Sequence, residues 1–475
     1  MVAEVLVELD RAAGRLVAQL VAGLRDAVRE GRLAGGTVLP PSRQLAAELR
    51  VSRGIVVEAY QQLVAEGYLL SRVGSGTRVA EGLVATAAGA VGATADAGSA
   101  APPRYDLTPG SPDLSLFPRS AWLAAMRRAV STLPNSDLGY GDPAGVLRFR
   151  EEMAAYLSRV RAADAVPERI VALNGAAHGL ALGLRALRED GHRVLAVEDP
   201  SGDRPRQILG ISGLDLAWVP VDDDGLIVSE LRKTAATVVH VTPAHQYPTG
   251  TALSPGRRAE LVAWAREVDG IIIEDDYDAE FRYDRDPIAC LQGLGPDRVL
   301  YLGTASKSLA PALRLGWALA PAPLAERLRA LRKETDLGGP ILEHVTLAEL
   351  IASGAYDRHL RGVRRRYRER RDALAAALAE RLPHWRVRGI AAGLHLLVDL
   401  PPAVDEEVLT TAARAHGVRV QPLAPMRCAP GPPGLVLGYA GLSPAHLAEA
   451  VRLLHAAARS CDAVGPASGK LIRTL

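Results

Sequence analysis

Lysine is nearly missing from this chain: its 475 residues include four, Lys233, Lys307, Lys333 and Lys470, and arginine carries almost all the other positive charge. Against so thin a background, a lysine in an unusual setting asks for its own chemical reason. Cysteine is scarcer still. Cys290, Cys428 and Cys461 stand far apart and in no metal-ligand spacing, which argues against a disulfide framework or a zinc site and fits a reducing cytoplasm. Net charge is also almost absent, with 56 Lys and Arg against 54 Asp and Glu, so only local charge distributions can point to partners. No apolar run approaches membrane-spanning length, and Glu4, Glu8 and Asp10 put acids where a secretory signal would be basic. These absences predict a cytoplasmic protein that does not enter a membrane, and the length predicts two or three domains.

From Arg15 to Glu30 the apolar Leu16, Leu20, Leu24, Ala27 and Val28 recur at helical spacing before Gly31, which predicts a first helix. A second, short helix is expected between Leu39 and Leu49, with Ser42 placed to cap it. Val51-Ser52-Arg53 then breaks the pattern, and a third helix is expected from Gly54 to Gly67. Two short helices joined by a tight turn, with Ser52 and Arg53 opening the second, have the layout of a helix-turn-helix, whose second helix enters the major groove N-terminus first. Tyr68 to Val79 reads as two strands around a glycine turn, a hairpin wing in which Arg72 and Arg78 are placed to touch the backbone or minor groove. A helical protein-interaction module is the competing reading, and the near balance of arginines and acids over residues 1–80 does not decide between them.

Residues 81–105 are rich in Ala and Gly with few large apolar side chains, the composition of a linker. Beyond them Arg193–Val197, Thr237–Val241, Gly270–Ile273 and Val299–Leu302 are short, apolar and β-rich, with helical stretches between. That alternation predicts a largely parallel sheet covered on both faces, with ligands at the carboxyl ends of its strands. The last hundred residues change character: a long arginine-crowded helix from Arg358 to Leu382, then strand-like Leu394–Val398, predict a smaller α+β lobe. The run Arg364-Arg365-Arg366 is read as a solvated helix face, with nucleic-acid binding as the alternative.

Lys307 lies in Tyr301-Leu302-Gly303-Thr304-Ala305-Ser306-Lys307-Ser308, between small hydroxyl residues, and Arg314 follows seven positions on. An amine can condense with an aldehyde to a Schiff base, which a guanidinium cannot, and a pyridoxal phosphate site needs that amine plus donors for the phosphate. Thr304, Ser306 and Arg314 are donors of the right type; a surface lysine in a Ser/Thr loop is the plainer reading. Such a cofactor needs an acid at its ring nitrogen. Ile273-Glu274-Asp275-Asp276-Tyr277-Asp278 ends a buried strand with carboxylates, so Asp275 is assigned to the nitrogen and Tyr277 to the ring hydroxyl. A metal site built from Asp275, Asp276 and Asp278 is the alternative, though nothing nearby completes it. Asn174-Gly175-Ala176-Ala177-His178, after strand-like Ile170–Leu173, is a strand-to-helix turn whose N–H groups suit a phosphate.

Leu39-Pro40-Pro41-Ser42-Arg43, Val51-Ser52-Arg53, Ala65-Glu66-Gly67-Tyr68-Leu69 and Gly74-Ser75-Gly76-Thr77 together resemble the winged helix-turn-helix of GntR-type bacterial regulators. The resemblance implies that Arg43, Ser52, Arg53 and Gly76 lie at the DNA. Pro41 and Ile55 depart from it, standing where Ser and Thr are usual. The segments Val241–Gly250, Glu274–Asp284 and Gly303–Gly316 are similar, in sequence and order, to the MocR-type subgroup, in which a fold-type I aminotransferase-like domain follows the winged helix.

This resemblance implies a multidomain chain: an α+β winged helix over 1–80, a linker over 81–105, an α/β large domain over 106–380 and a small α+β lobe over 381–475. It implies pyridoxal 5'-phosphate held as an internal aldimine on Lys307, with Asp275 at the ring nitrogen and Tyr277 at the ring hydroxyl. Thr304, Ser306, Arg314 and the turn at Gly175 and Ala176 would bind its phosphate, and Tyr247 joins the cofactor-binding set. It further implies a homodimer, with each DNA-binding domain over the partner's large domain. Ser201-Gly202 replace the usual Gly-Tyr whose ring stacks on the cofactor, Ala176-Ala177-His178 replace a usually polar stretch, and Leu435–Tyr439 lacks the arginine that grips a substrate carboxylate. Arg204 or Arg206 could instead meet an anionic effector. The expected function is therefore a regulator that binds operator DNA and senses pyridoxal phosphate, an amine or an amino acid. A working aminotransferase with an accessory DNA-binding domain is the rival.

Overall fold

The computed structural model describes residues 7–72, 76–82, 103–284 and 288–463, the side chains of 203–205 and 462–463 excepted. The chain forms two compact units, residues 1–101 and 102–475. In the first, α1 (Leu16–Arg29), α2 (Ser42–Glu48) and α3 (Arg53–Ala65) precede the antiparallel pair β1 (Leu69–Arg72) and β2 (Gly76–Val79). The apolar stripe of α1 is what folds it: Leu20, Leu24 and Val28 are buried against Leu45, Val56, Leu63, Leu69 and Val79. Ser42 does not cap α2. Pro41 holds the cap position, its fixed φ suiting the entry to a helix, and its carbonyl accepts from the N–H groups of Gln44 and Leu45. Between α2 and α3 the chain reverses through Arg50 in the left-handed region, and the buried Tyr60 hydroxyl ties α3 back to Pro40 O at 2.9 Å.

The second unit runs β3 (Tyr105–Asp106), α4 (Arg119–Thr132), α5 (Leu147–Arg161), β4 (Ile170–Leu173), α6 (Ala176–Glu189), β5 (Val194–Asp199), α7 (Asp203–Gly210), β6 (Asp215–Asp222), β7 (Gly225–Leu226) and α8 (Val228–Leu231). It continues with β8 (Val238–Val241), α9 (Pro255–Glu267), β9 (Ile271–Asp276), β10 (Val299–Thr304), β11 (Gly316–Leu319), α10 (Ala322–Thr335), α11 (Leu342–Ala352) and α12 (Ala355–Arg381). The last elements are β12 (Arg386–Arg388), β13 (His395–Asp399), α13 (Glu406–Ala415), β14 (Val418–Arg419), β15 (Gln421–Pro422), β16 (Gly434–Gly438) and α14 (Pro444–Ala463).

Eight strands form the main sheet in the order β4-β11-β10-β9-β8-β5-β6-β7. The pairs β5·β6, β5·β8, β8·β9 and β9·β10 are parallel, whereas β11 runs antiparallel to both neighbours. Strand alternation gives the sheet two apolar faces. Leu195, Val197, Ile273, Leu300 and Leu302 pack with Leu180, Leu184 and Leu187 of α6 on one side; Ala196, Val239, Ile272 and Val299 pack with Leu261 and Trp264 of α9 on the other.

A second sheet, β12-β13-β16-β15, is antiparallel throughout and makes the small lobe. Leu374 and Leu378 of α12, Leu409 of α13 and Leu447 and Leu454 of α14 bury its strand residues Leu396, Val398, Leu435 and Leu437. Tyr105, inside the stretch expected to be linker, is buried and pairs with Val418 across a parallel β3·β14 bridge. Ordered packing therefore begins before Asp106.

Candidate functional site

The carboxylates that end β9 separate by strand alternation. Glu274 and Asp276 turn to one side: Glu274 accepts the N–H groups of Leu291 and Gln292 at 2.9 and 3.1 Å, and burial pushes its carboxyl up to about 7. Asp276 receives Arg161 Nη2 at 2.7 Å and the Tyr301 hydroxyl at 2.6 Å. Asp275 points the other way. Its Oδ1 is buried without a hydrogen-bond partner among the described residues, and Oδ2 lies 3.6 Å from Nε2 of the buried His240. A buried carboxylate oxygen left unpaired is costly unless a ligand donor completes it.

The Arg161–Asp276 pair yields a stability prediction. Both side chains are almost fully buried, so Asp276→Ala strands a guanidinium and is expected to lower folding stability by about 3–5 kcal/mol. Chemical denaturation measures it, and a loss below about 1 kcal/mol would contradict the buried-pair account.

Lys307 follows β10 at the carboxyl end of the sheet. It is half-buried and its Nζ donates to Gly110 O. The turn that carries it is fixed on both sides: Thr304 Oγ1 donates to Leu315 O at 3.0 Å and accepts from Ser306 N–H at 3.1 Å. From α12, Tyr356 donates to Ser308 Oγ at 2.8 Å and His359 Nε2 reaches Ser308 O at 2.7 Å. Arg314 reverses the chain at φ 51° and lays its guanidinium over Asn174 O at 2.9 Å. A Cβ at Gly175, itself at φ 88°, would sit 3.0 Å from Arg314 Nη2, so glycine is what lets the arginine close on this turn. Gly175 caps α6, whose first N–H groups, beginning at Ala176, have no acceptor within the helix. The structure thus brings Thr304, Ser306, Lys307, Arg314, Gly175 and Ala176 to one edge of the sheet.

Tyr277 is held beside a residue that the sequence analysis did not single out. Its hydroxyl donates to His245 O at 3.0 Å and lies 3.2 Å from His245 Nδ1, which is 3.0 Å from Asp278 Oδ2. Burial first, and then the Asp278 charge, drives the Tyr277 phenol well above its usual range. Tyr247 stands edge-on to Tyr277 at 6.0 Å and to His395 at 4.9 Å between ring centroids. His245, Asp278 and His395 are the group of side chains among the described residues that could approach a metal; the Asp278 and Pro248 O contacts already occupy one nitrogen of each histidine. One signal did exist for His240, as the polar position in the apolar strand Val238-Val239-His240-Val241. Nothing in the spacing pointed to His245.

Ser201, which with Gly202 stands where the resembling family has Gly-Tyr, is buried and donates its N–H to Met426 O at 2.9 Å. Arg206 reaches the same segment, donating to Pro425 O at 2.8 Å with its guanidinium 4.7 Å over the Trp218 ring. These contacts tie α7 to the small lobe. The side chain of Arg204 lies outside the described residues. In β16 the residues Leu435, Val436 and Leu437 are buried apolar side chains that offer no cation to a carboxylate.

In the first unit, Ser52 holds the N-cap position of α3 without a side-chain cap bond, Ser52 and Arg53 are exposed at that helix start, and Arg43 is exposed in the first turn of α2. Arg53 Nε reaches Ser42 Oγ at 3.4 Å. Arg72 is exposed, Arg78 is half-buried, and Gly76 opens β2 at φ 80° with open space around it. Val73, Gly74 and Ser75 at the wing tip lie outside the described residues.

Comparison with known proteins assigns both units. Residues 16–79 match the gntR family of bacterial regulatory proteins, and residues 107–454 match class I and II aminotransferases. The chain is 38% identical to the pyridoxine biosynthesis transcriptional regulator PdxR of Corynebacterium glutamicum over 86% of its length and 87% of that protein. It is 32% identical to the probable rhizopine catabolism regulatory protein MocR of Rhizobium meliloti, over 94% of each chain. It belongs to the MocR-type GntR regulators. Among solved structures, kynurenine aminotransferase of Pyrococcus horikoshii matches with a TM-score of 0.69 at 24% identity, over 75% of this chain and 90% of that one. The aminoadipate aminotransferase LysN of Thermus thermophilus, complexed with a phosphopyridoxyl-leucine, matches with a TM-score of 0.68 at 26% identity, over 76% and 93%. The second unit of this MocR-type regulator therefore has the fold of pyridoxal phosphate-dependent aminotransferases. No helix among the described residues is long and apolar enough to cross a membrane.

Proposed function

We propose that this regulator binds operator DNA through the start of α3 and holds pyridoxal 5'-phosphate on Lys307 as its sensor, responding to the cofactor itself or to an amine or amino acid. The observation that carries the proposal is the unpaired, buried Oδ1 of Asp275 at the same edge of the sheet as Lys307. A carboxylate in that state fits a pyridinium N–H, which would complete its hydrogen bonding and favour its charged form. Thr304, Ser306, Arg314 and the N–H groups at the start of α6 fit a phosphate, and Tyr277 fits the ring oxygen. Bound there, the cofactor supplies an aldehyde carbon for which an incoming amine competes with Lys307. For that competition to alter DNA binding, it must favour one arrangement of the protein over another.

One feature favours sensing over turnover: the buried apolar β16 where an arginine clamp would stand. The same reading takes the protein as a cytoplasmic homodimer divided at about residues 80, 105 and 380. The test is to run steady-state transamination, with amino donors and keto acids, beside operator binding on the protein's own upstream DNA. The proposal expects negligible turnover and a DNA affinity that changes with pyridoxal phosphate or an amine. Efficient turnover with unresponsive DNA binding would overturn it.

A further inference from the structure

We propose that His245 is a positioning residue for Tyr277: held by Asp278 and the small lobe, its imidazole sets how strongly the Tyr277 hydroxyl can donate to the ring oxygen of a cofactor on Lys307. The inference rests on the reading of Lys307 above and adds a residue outside the expected cofactor set.

The pocket around the ring is built for an imidazole. His245 and Asp278 are each about 2% exposed, with Nδ1 and Oδ2 3.0 Å apart. On the opposite side His395 of β13 lies 4.9 Å away between ring centroids. Gly393, at φ 71°, leaves room where any Cβ would overlap His245 Cε1. Its carbonyl is fixed by the hydroxyls of Tyr283 and Tyr439, each at 2.6 Å.

Burial pushes the Asp278 carboxyl up and the facing His245 opposes that shift; in its ionised form the carboxylate only accepts, which places the imidazole proton on Nδ1. That N–H also leans on the Tyr277 oxygen at 3.2 Å, while the phenol donates its own proton to His245 O at 3.0 Å. A phenol that accepts from one neighbour becomes a better donor to another. When Tyr277 turns its proton toward a cofactor oxygen, this chain strengthens the bond that stabilises the oxygen's anionic form.

Other charged and titratable groups face this chain: Lys307 and Asp276 act on Asp278, Asp275, Glu198 and Tyr247 act on Tyr277, and Asp278 in turn acts on Glu280, Tyr283 and Tyr439. Asp276 is tied to Arg161, and burial beside His245 drives His395 well below the usual imidazole range, toward its neutral form.

The test uses the full-length protein and its H245N, H245L, D278N, Y277F and H245L/Y277F variants. Each is loaded with pyridoxal phosphate, bound cofactor is counted after alkaline release, and the visible band is titrated against pH. Asparagine keeps an N–H near the position of Nδ1, so H245N is expected to titrate as wild type. H245L is expected to raise the midpoint by about one pH unit, a tenfold change in proton affinity. D278N is expected to move it in the same direction and serves if H245L fails to fold. In the Y277F background, H245L is expected to add nothing. A wild-type titration for both H245L and D278N, or a H245L shift that adds in full to that of Y277F, would overturn the proposal. A wild-type protein with no visible band would instead sink the reading of Lys307, and this inference with it.

Discussion

Lys307→Ala is expected to give a folded protein that shows no visible band with pyridoxal phosphate and binds its operator with the same affinity whether or not the cofactor is present. Lys307 supplies an amine at the carboxyl end of β10, beside Thr304 and Ser306, and alanine removes it without disturbing the hydrogen bonds of Thr304 or the clamps from Tyr356 and His359. The wild-type residue is half-buried and donates to Gly110 O, so the stability cost is expected to be no more than about 1–2 kcal/mol. Absorbance spectra, denaturation curves and gel shifts on the two proteins measure the three parts. A retained visible band would mean that another amine carries the cofactor.

Arg53→Ala is expected to weaken operator binding by about 5- to 150-fold, the loss of one well-placed arginine contact of about 1–3 kcal/mol. Arg53 is exposed at the first position of α3, next to the exposed N-cap Ser52. If Arg53 meets phosphate, the plot of log affinity against log salt also loses about one unit of slope. If it reads a base, the slope stays and discrimination among operator variants falls. Cofactor binding is expected to be untouched, because Arg53 and Lys307 belong to different compact units. Unchanged DNA affinity in Arg53→Ala would place the recognition surface elsewhere.

The sequence made the main elements readable where periodicity is strong. The buried stripe of α1, the apolar β5, β8, β9 and β10, and the long α12 all lie where their patterns place them, because burial of one face or both leaves a clear trace in residue order. Lys307 and Asp275 were legible for a different reason: scarcity of lysine and a carboxylate cluster at a strand end are chemical signals that need no tertiary information.

Other features depend on contacts between distant segments. The antiparallel β11 was not foreseen, since Gly316-Trp317-Ala318-Leu319 is short and pairs with β4, far back in the chain. His245 carries no spacing signal toward Asp278, and its role becomes visible only when Gly393 and His395 of the small lobe close over it. Arg206 also meets a carbonyl of the small lobe, a contact between segments more than two hundred residues apart that spacing does not show. Ser42 suited a cap by type, but Pro41 holds the cap position, its carbonyl accepting from Gln44 and Leu45.

The central claim is that a signal read at Lys307 changes how the protein holds DNA. Its most direct test is the equilibrium affinity of full-length wild type and Lys307→Ala for the protein's own upstream DNA, each titrated with pyridoxal phosphate at one fixed salt concentration. The account predicts that the cofactor shifts the wild-type affinity by about 5- to 150-fold, the usual range of coupling between two sites, and leaves that of Lys307→Ala unchanged. Equal responses from the two proteins, or none from wild type to either the cofactor or amines, would contradict it.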